Sequence, residues 1–318
     1  MAKPRRWLMP VAMALLVLLA GCATQTYSLL HETPGGLPRR TELADTPFFP
    51  QQRYQCGPAT LAMALRNAGV SIMPGALVSE VYVPQRKGSL QVEMLAAGRR
   101  NGAFTVTIPP NLESLLNEVA SGNPVVVLQN LGLSWLPLWH YALVVGYDLD
   151  RSEIILRSGT TRRLVMLMST FEHTWERSGY WGMVALPPGR LPKTAQEAPT
   201  VAALMAFEKD NSAALARKAY AAALKRWPHN LLLLLGLGNS AAAEKDYSAA
   251  ADAFQTATKI HPDSPPAFNN LAVMLGKLGR YGEAKQAAEK AIALGGPWRD
   301  AAMDTLQSIE AAEPKAAP

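Results

Sequence analysis

Apolar and polar positions change their spacing along this chain, and each change marks a segment. Leu8 to Leu19 is an apolar run preceded by Lys3, Arg5 and Arg6. From about 46 to 187 helical and strand-like patterns follow one another. Cys56 to Asn67 has helical spacing and stops at Gly69; Pro74 to Val83 and Ser89 to Arg100 are two further predicted helices, the second ended by Asn101-Gly102. Asn111 to Ala120 is a fourth, with Asn111 placed to cap its start and Gly122 just past its end. Strand-like runs follow at Val125–Leu128, His140–Tyr147, Glu153–Leu156, Arg163–Met168 and Tyr180–Leu186. Asp148 to Ser152 supplies turn residues between two of them. Helices first and antiparallel-type strands afterwards predict an α+β domain.

Beyond Pro187-Pro188-Gly189-Arg190-Leu191-Pro192 the pattern repeats. Leu234, Leu237-Gly238, Asp246-Tyr247, Ala250, Phe254, Ala257 and Pro262 match Phe268, Leu271-Ala272, Arg280-Tyr281, Ala284, Ala288, Ala291 and Gly296 at an offset of thirty-four residues. That period and its alternation of small and large residues resemble the tetratricopeptide repeat. Ala216, Tyr220, Ala223 and Pro228 fit a degenerate earlier copy, and Trp298 to Glu310 reads as a capping helix. The expected organisation is a signal segment over 1–21, a tether over 22–45, an α+β domain over 46–187, a linker over 188–199 and an all-α repeat superhelix over 200–312.

The basic and apolar start ends in Leu19-Ala20-Gly21-Cys22, which resembles a bacterial lipobox. The resemblance implies cleavage before Cys22 and lipidation of its thiol. An uncleaved transmembrane anchor is the alternative, for which the apolar run is short. Ala23 rather than an aspartate follows, which points to the periplasmic face of the outer membrane before the inner. The formal charge of +6 includes the three basic residues of the signal segment, leaving +3 for the rest. That balance, without a basic patch interleaved with aromatics, gives no reason to expect nucleic acid as a partner. No spacing of ligands suggests a metal or other cofactor. His229 and His261 occupy matching repeat ends, His173 an amphipathic segment, and His31 the tether.

With Cys22 lipidated, Cys56 is the remaining thiol of the two cysteines. It lies at a predicted helix start, in Gln51-Gln52-Arg53-Tyr54-Gln55-Cys56-Gly57-Pro58-Ala59, where backbone N–H groups favour a thiolate. A buried structural cysteine is the bland alternative. His140 opens an apolar strand in Trp139-His140-Tyr141-Ala142-Leu143-Val144-Val145-Gly146-Tyr147-Asp148. Together these segments, within about Pro47 to Leu186, resemble the papain-like peptidases that process bacteriocin double-glycine leaders, in their stand-alone secreted form. The resemblance implies a papain-like fold, Cys56 as nucleophile, His140 as general base and an upstream glutamine as oxyanion donor. Gln51 fits that place best, with Gln52 and Gln55 as rivals. The family usually has an aspartate after the next strand; here Leu156-Arg157-Ser158-Gly159 stands there, and Ser158 takes the position that orients the imidazole.

The apolar stretch Leu131 to Trp139 runs into His140. Trp135 and Trp139 are candidate substrate anchors, whereas Leu131 and Leu133 are expected to pack in the core. The implied function is a lipid-anchored periplasmic cysteine peptidase that acts on peptide or protein, with repeats that recruit a protein partner or hold the substrate. The alternatives are an inactive papain-like binding module in a scaffold, and acyl transfer or cleavage of cell-wall peptides by the same thiol.

Overall fold

The computed structural model describes residues 23–32, 34–51 and 55–314. Its N-terminal domain is a sheet covered by helices on both faces. The strands are β1 (Arg40–Glu42), β4 (Phe104–Thr107), β5 (Val125–Asn130), β6 (Trp139–Asp148), β7 (Glu153–Ser158), β8 (Thr161–Leu167) and β9 (Gly182–Leu186). They run antiparallel in the order β4-β9-β5-β6-β7-β8, and β1 pairs with the end of β6. Two short strands, β2 (Tyr82–Val83) and β3 (Gly88–Ser89), form a separate ribbon.

β6 is buried from Tyr141 to Asp148 because helices cover both of its faces. Alternate side chains point to opposite sides of a strand. Tyr141, Leu143 and Val145 enter one core with α2 (Cys56–Asn67), α3 (Pro74–Val81) and α4 (Gln91–Arg100). Ala142 and Val144 enter the other with α5 (Leu112–Ala120) and α6 (Met168–Glu176), joined by Tyr147 beyond the register shift between Val144 and Gly146. The Asn111 side chain accepts from Ser114 N at 2.8 Å and caps α5 as its sequence predicts. β4 and α6 have no counterpart among the predicted elements, and the ends of the predicted third helix and second helix become the β2–β3 ribbon.

The stretch read as a tether is, from Thr24 onward, part of the domain. Helix α1 (Thr24–His31) buries Thr26 and Leu29, and the N–H groups of Gln25 and Thr26 donate to the Glu172 carboxylate at 3.0 and 2.7 Å. β1 then completes the sheet. Polar composition concealed this, because the contacts are made by backbone groups to a carboxylate far along the chain. Cys22 and the signal segment lie outside the described residues. Among the described residues no helix is long and apolar enough to cross a membrane.

The second part is a run of helices: α7 (Glu197–Asp210), α8 (Ala213–Leu224), α9 (Leu231–Ala243), α10 (Tyr247–Ile260), α11 (Pro265–Lys277), α12 (Tyr281–Leu294) and α13 (Arg299–Ala312). The thirty-four-residue offset carries α9–α10 onto α11–α12. The expected linker is tied down: buried Glu118 on α5 accepts from Lys193 N, Thr194 N and Thr194 Oγ1. Phe207 on α7 meets Phe104 on β4 edge to face, with ring centroids 6.3 Å apart, so one core continues from sheet to repeats.

Gly238 shows why a small residue recurs in the repeat. A Cβ there would lie 2.4 Å from the Phe254 ring. Gly238→Ala is therefore expected to destabilise the helical part by about 1–3 kcal/mol, the usual cost of overpacking. Urea denaturation checks this, and Phe254→Leu in the same chain should recover much of the loss.

Candidate active site

Cys56 is the first residue of α2, and His140 is near the start of β6; both are half-buried. They line one cleft of about 780 Å³, between the β2–β3 ribbon and the strand ends of β5 and β6. The fold thus brings together two side chains far apart in sequence. His140 Nε2 lies 2.9 Å from Ser158 Oγ, at the end of β7, the position at which the resemblance implies an orienting partner. That bond leaves Nδ1 as the ring nitrogen available for a thiol proton.

The carboxylates of the β6–β7 turn lie at the other end of the strand. Asp148 pairs with Arg40 and accepts from Arg151 N, and Asp150 pairs with Arg39 at 2.6 Å. They cannot serve His140.

Burial overrides the expected thiolate. Desolvation pushes the Cys56 thiol above its ordinary value, and hydrogen bonds from the Tyr141, Gly57 and Cys56 backbones only partly offset it. Burial likewise lowers His140. Both shifts favour the uncharged forms, a thiol and a neutral imidazole, which suits general-base transfer of the thiol proton during attack. Two pH effects follow. Alkylation of Cys56 by iodoacetamide should climb at a higher pH than for a free thiol. Any activity that needs neutral His140 should persist below pH 6.5, the ordinary histidine value, and decline only as pH falls through the lowered one. A labelling series and a pH–rate profile measure these.

Gln51 lines the cleft and is held by its own backbone, with N donating to Gly159 O at 3.0 Å. Its Nε2 donates inward, to Thr60 Oγ1 at 3.1 Å and Tyr141 O at 3.4 Å, while Oε1 is buried without a partner. Thr60 Oγ1 in turn donates to Tyr141 O at 3.2 Å, so these two acceptors hold the Gln51 amide with Nε2 inward. Gln55 is the N-cap residue of α2, with no side-chain cap bond, and Gln52 lies outside the described residues.

Residues 131–138 form a projecting hairpin. Leu131 N donates to Leu138 O, and Leu133 and Leu136 exchange backbone bonds. Asn130 Oδ1 accepts from Gly132 N and Leu138 N, and the Arg177 guanidinium donates to Asn130 O and Gly132 O. Leu131 and Leu133 are exposed rather than packed in the core, because the hairpin satisfies its backbone internally and turns its side chains outward. Trp139 lines the cleft. Trp135 stands away from it, 79% exposed near the hairpin tip.

Sequence reasoning missed Thr60, which braces Gln51, and Ser89, whose carbonyl accepts from Tyr141 Oη at 3.2 Å beneath the cleft. It also missed Arg86, Lys87 and Arg177 in the cleft wall. No local pattern marks them, since each reaches the site only through tertiary packing. Among the described residues no three His, Cys, Asp or Glu side chains are grouped to hold a metal ion.

Residues 43–183 match the model of the Peptidase_C39 like family, and residues 253–286 match that of the tetratricopeptide repeat. The protein is therefore an N-terminal C39-like α+β domain followed by helices that match a tetratricopeptide-repeat region. Among solved structures, a candidate C39-like peptidase from Bacillus anthracis is 17% identical, covers 48% of this chain and 99% of its own, and has a TM-score of 0.40. The Sgt2 TPR domain from Aspergillus fumigatus is 26% identical, covers 37% of this chain and 82% of its own, and has a TM-score of 0.31. A search of curated protein sequences returned no match.

Proposed function

We propose that this protein is a lipid-anchored cysteine peptidase of the periplasmic face of a bacterial membrane, the outer one before the inner. The observation that carries the peptidase reading is the shared cleft of Cys56 and His140, with His140 Nε2 on Ser158 and Nδ1 left over. His140 Nδ1 takes the thiol proton as Sγ attacks the peptide carbonyl. Gln51, which lines the cleft, donates Nε2 to the oxyanion that forms once it leaves Thr60 and Tyr141. The proton then passes to the leaving amine, and water releases the acyl group from sulfur with His140 again as base. Ser158 is a positioning residue that holds the ring. Trp139 anchors the substrate along the cleft, and the repeat helices recruit a protein partner or the substrate itself. Cys22 carries the lipid.

The scaffold alternative draws support from Ser158 in place of a carboxylate and from the raised thiol. Incubating the protein and its Cys56→Ala form with unfolded protein, a double-glycine leader peptide and cell-wall peptides separates the readings. Cleavage lost in Cys56→Ala supports the peptidase, and the substrate cleaved distinguishes leader processing from wall-peptide chemistry. Binding without cleavage of any of them overturns it in favour of the scaffold.

A further inference from the structure

One end of the sheet gathers the cleft, the projecting hairpin and the start of the described chain. β5 leaves the sheet there at Asn130, opposite Trp139 at the start of β6. β9 begins there too, since Leu128 N donates to Trp181 O. Ile108 N donates to Gly182 O just before α5, which places the N-terminus of α5 at the same end. Helix α1 starts beside it, with Leu112 N donating to Gln25 Oε1 at 2.7 Å. The chain then runs to the opposite end, where Leu149 N donates to Arg39 O.

This arrangement leaves a lipid at Cys22 little slack. Ala23 is the next residue, and consecutive Cα atoms are about 3.8 Å apart. Two residues further on, Gln25 and Thr26 are bonded to Glu172 on α6. Arg177, the C-cap of that same helix, pins the hairpin through Asn130 O and Gly132 O. A lipid on Cys22 would therefore hold the hairpin end of the domain against the bilayer.

The hairpin suits that contact. Leu131, Leu133, Trp135, Leu136, Leu138 and Trp139 are all exposed, and backbone bonds set Leu131 opposite Leu138 and Leu133 opposite Leu136. A contiguous apolar patch of this kind marks an interaction surface. Leu133, Trp135 and Leu136 do not line the cleft, so a peptide held there does not account for them. Tryptophan favours the bilayer interface, and interfacial binding grows with buried apolar area and with nearby basic groups. Arg86, Lys87 and Arg177 supply that charge in the adjoining cleft wall.

Resting on the lipid anchor at Cys22 proposed above, we propose that the 131–138 hairpin inserts into the interface of the same membrane and turns the cleft toward it. The substrate class is then a peptide segment lying at the membrane surface.

The test uses the full chain, made with its lipid in a bacterial host and reconstituted into phosphatidylethanolamine–phosphatidylglycerol vesicles with and without brominated acyl chains. Flotation reads the anchor, and quenching of tryptophan emission by bromine reads the hairpin. The expected result is floating protein whose emission is quenched. Leu133→Ser with Leu136→Ser should keep flotation and both tryptophans yet lose the quenching, and Trp135→Phe should remove much of the quenched emission. Floating protein with unquenched tryptophans would overturn the insertion while leaving the anchor intact, and would return the hairpin to peptide recognition. Protein that does not float would overturn the anchor, and the proposal with it.

Discussion

Replacing Cys56 with alanine is expected to abolish peptide hydrolysis, because it removes the thiol that shares the cleft with His140 and leaves nothing to carry the acyl group. His140→Ala should cost about 10²–10⁴-fold in kcat, the range of a positioned general base. Both residues are half-buried at element ends, so the variants should fold, which a thermal melt verifies. Ser158 gives the sharper diagnosis. Its hydroxyl orients the ring but carries no charge to stabilise the imidazolium that forms when the thiol gives up its proton. Ser158→Asp should raise kcat, since a charge-assisted bond is worth about 1.5–3 kcal/mol against roughly 1 for a neutral one. The carboxylate should also move the acid limb of the pH profile upward toward the ordinary histidine range. Ser158→Ala should lower kcat by about tenfold, the equivalent of roughly 1.4 kcal/mol. A pH profile unchanged by Ser158→Asp would mean that His140 is not the titrating base.

Glu118→Ala is expected to cost about 1–3 kcal/mol or more, since each buried donor left without its acceptor carries a desolvation cost of that size. Glu118 is fully buried on α5. Its carboxylate accepts from Asn123 Nδ2 at 2.6 Å, Lys193 N at 3.2 Å, and Thr194 N and Oγ1 at 2.6 Å each. Alanine would leave those donors without their acceptor. Glu118→Gln should be costly as well, because its amide nitrogen would face donors on whichever side it took. The urea midpoint measures the loss. Limited proteolysis near Lys193 should rise with it, since these bonds tie the connection between sheet and helices.

The fold was largely legible because its signals are local. Periodicity placed α2, the helix capped by Asn111 and the strands β5 to β7. The thirty-four-residue period placed the repeat helices, since each unit must bury the same small and large positions against its neighbour. β4 escaped notice because four residues in a buried strand leave too short a pattern. Helix α1 and the anchored linker escaped for another reason. Their stability comes from Glu172 and Glu118, carboxylates that accept from backbone N–H groups about 75 to 147 positions away.

The site divides in the same way. The motif around Cys56 and the histidine strand could be read from residue type and spacing, and the place of Ser158 from the resemblance to the papain-like peptidases. Only the tertiary structure set the direction in which burial shifts the two groups. A helix N-terminus favours a thiolate in isolation, but burial removes the water that would solvate the charge, and that larger effect raises the thiol and lowers the imidazole. Only the tertiary structure exposed Leu131 and Leu133, since an apolar run reads alike whether it enters a core or leaves it. And only the sheet register placed the start of the described residues, the hairpin and the cleft at one end, because direction in space is set by which strands pair and not by any residue alone.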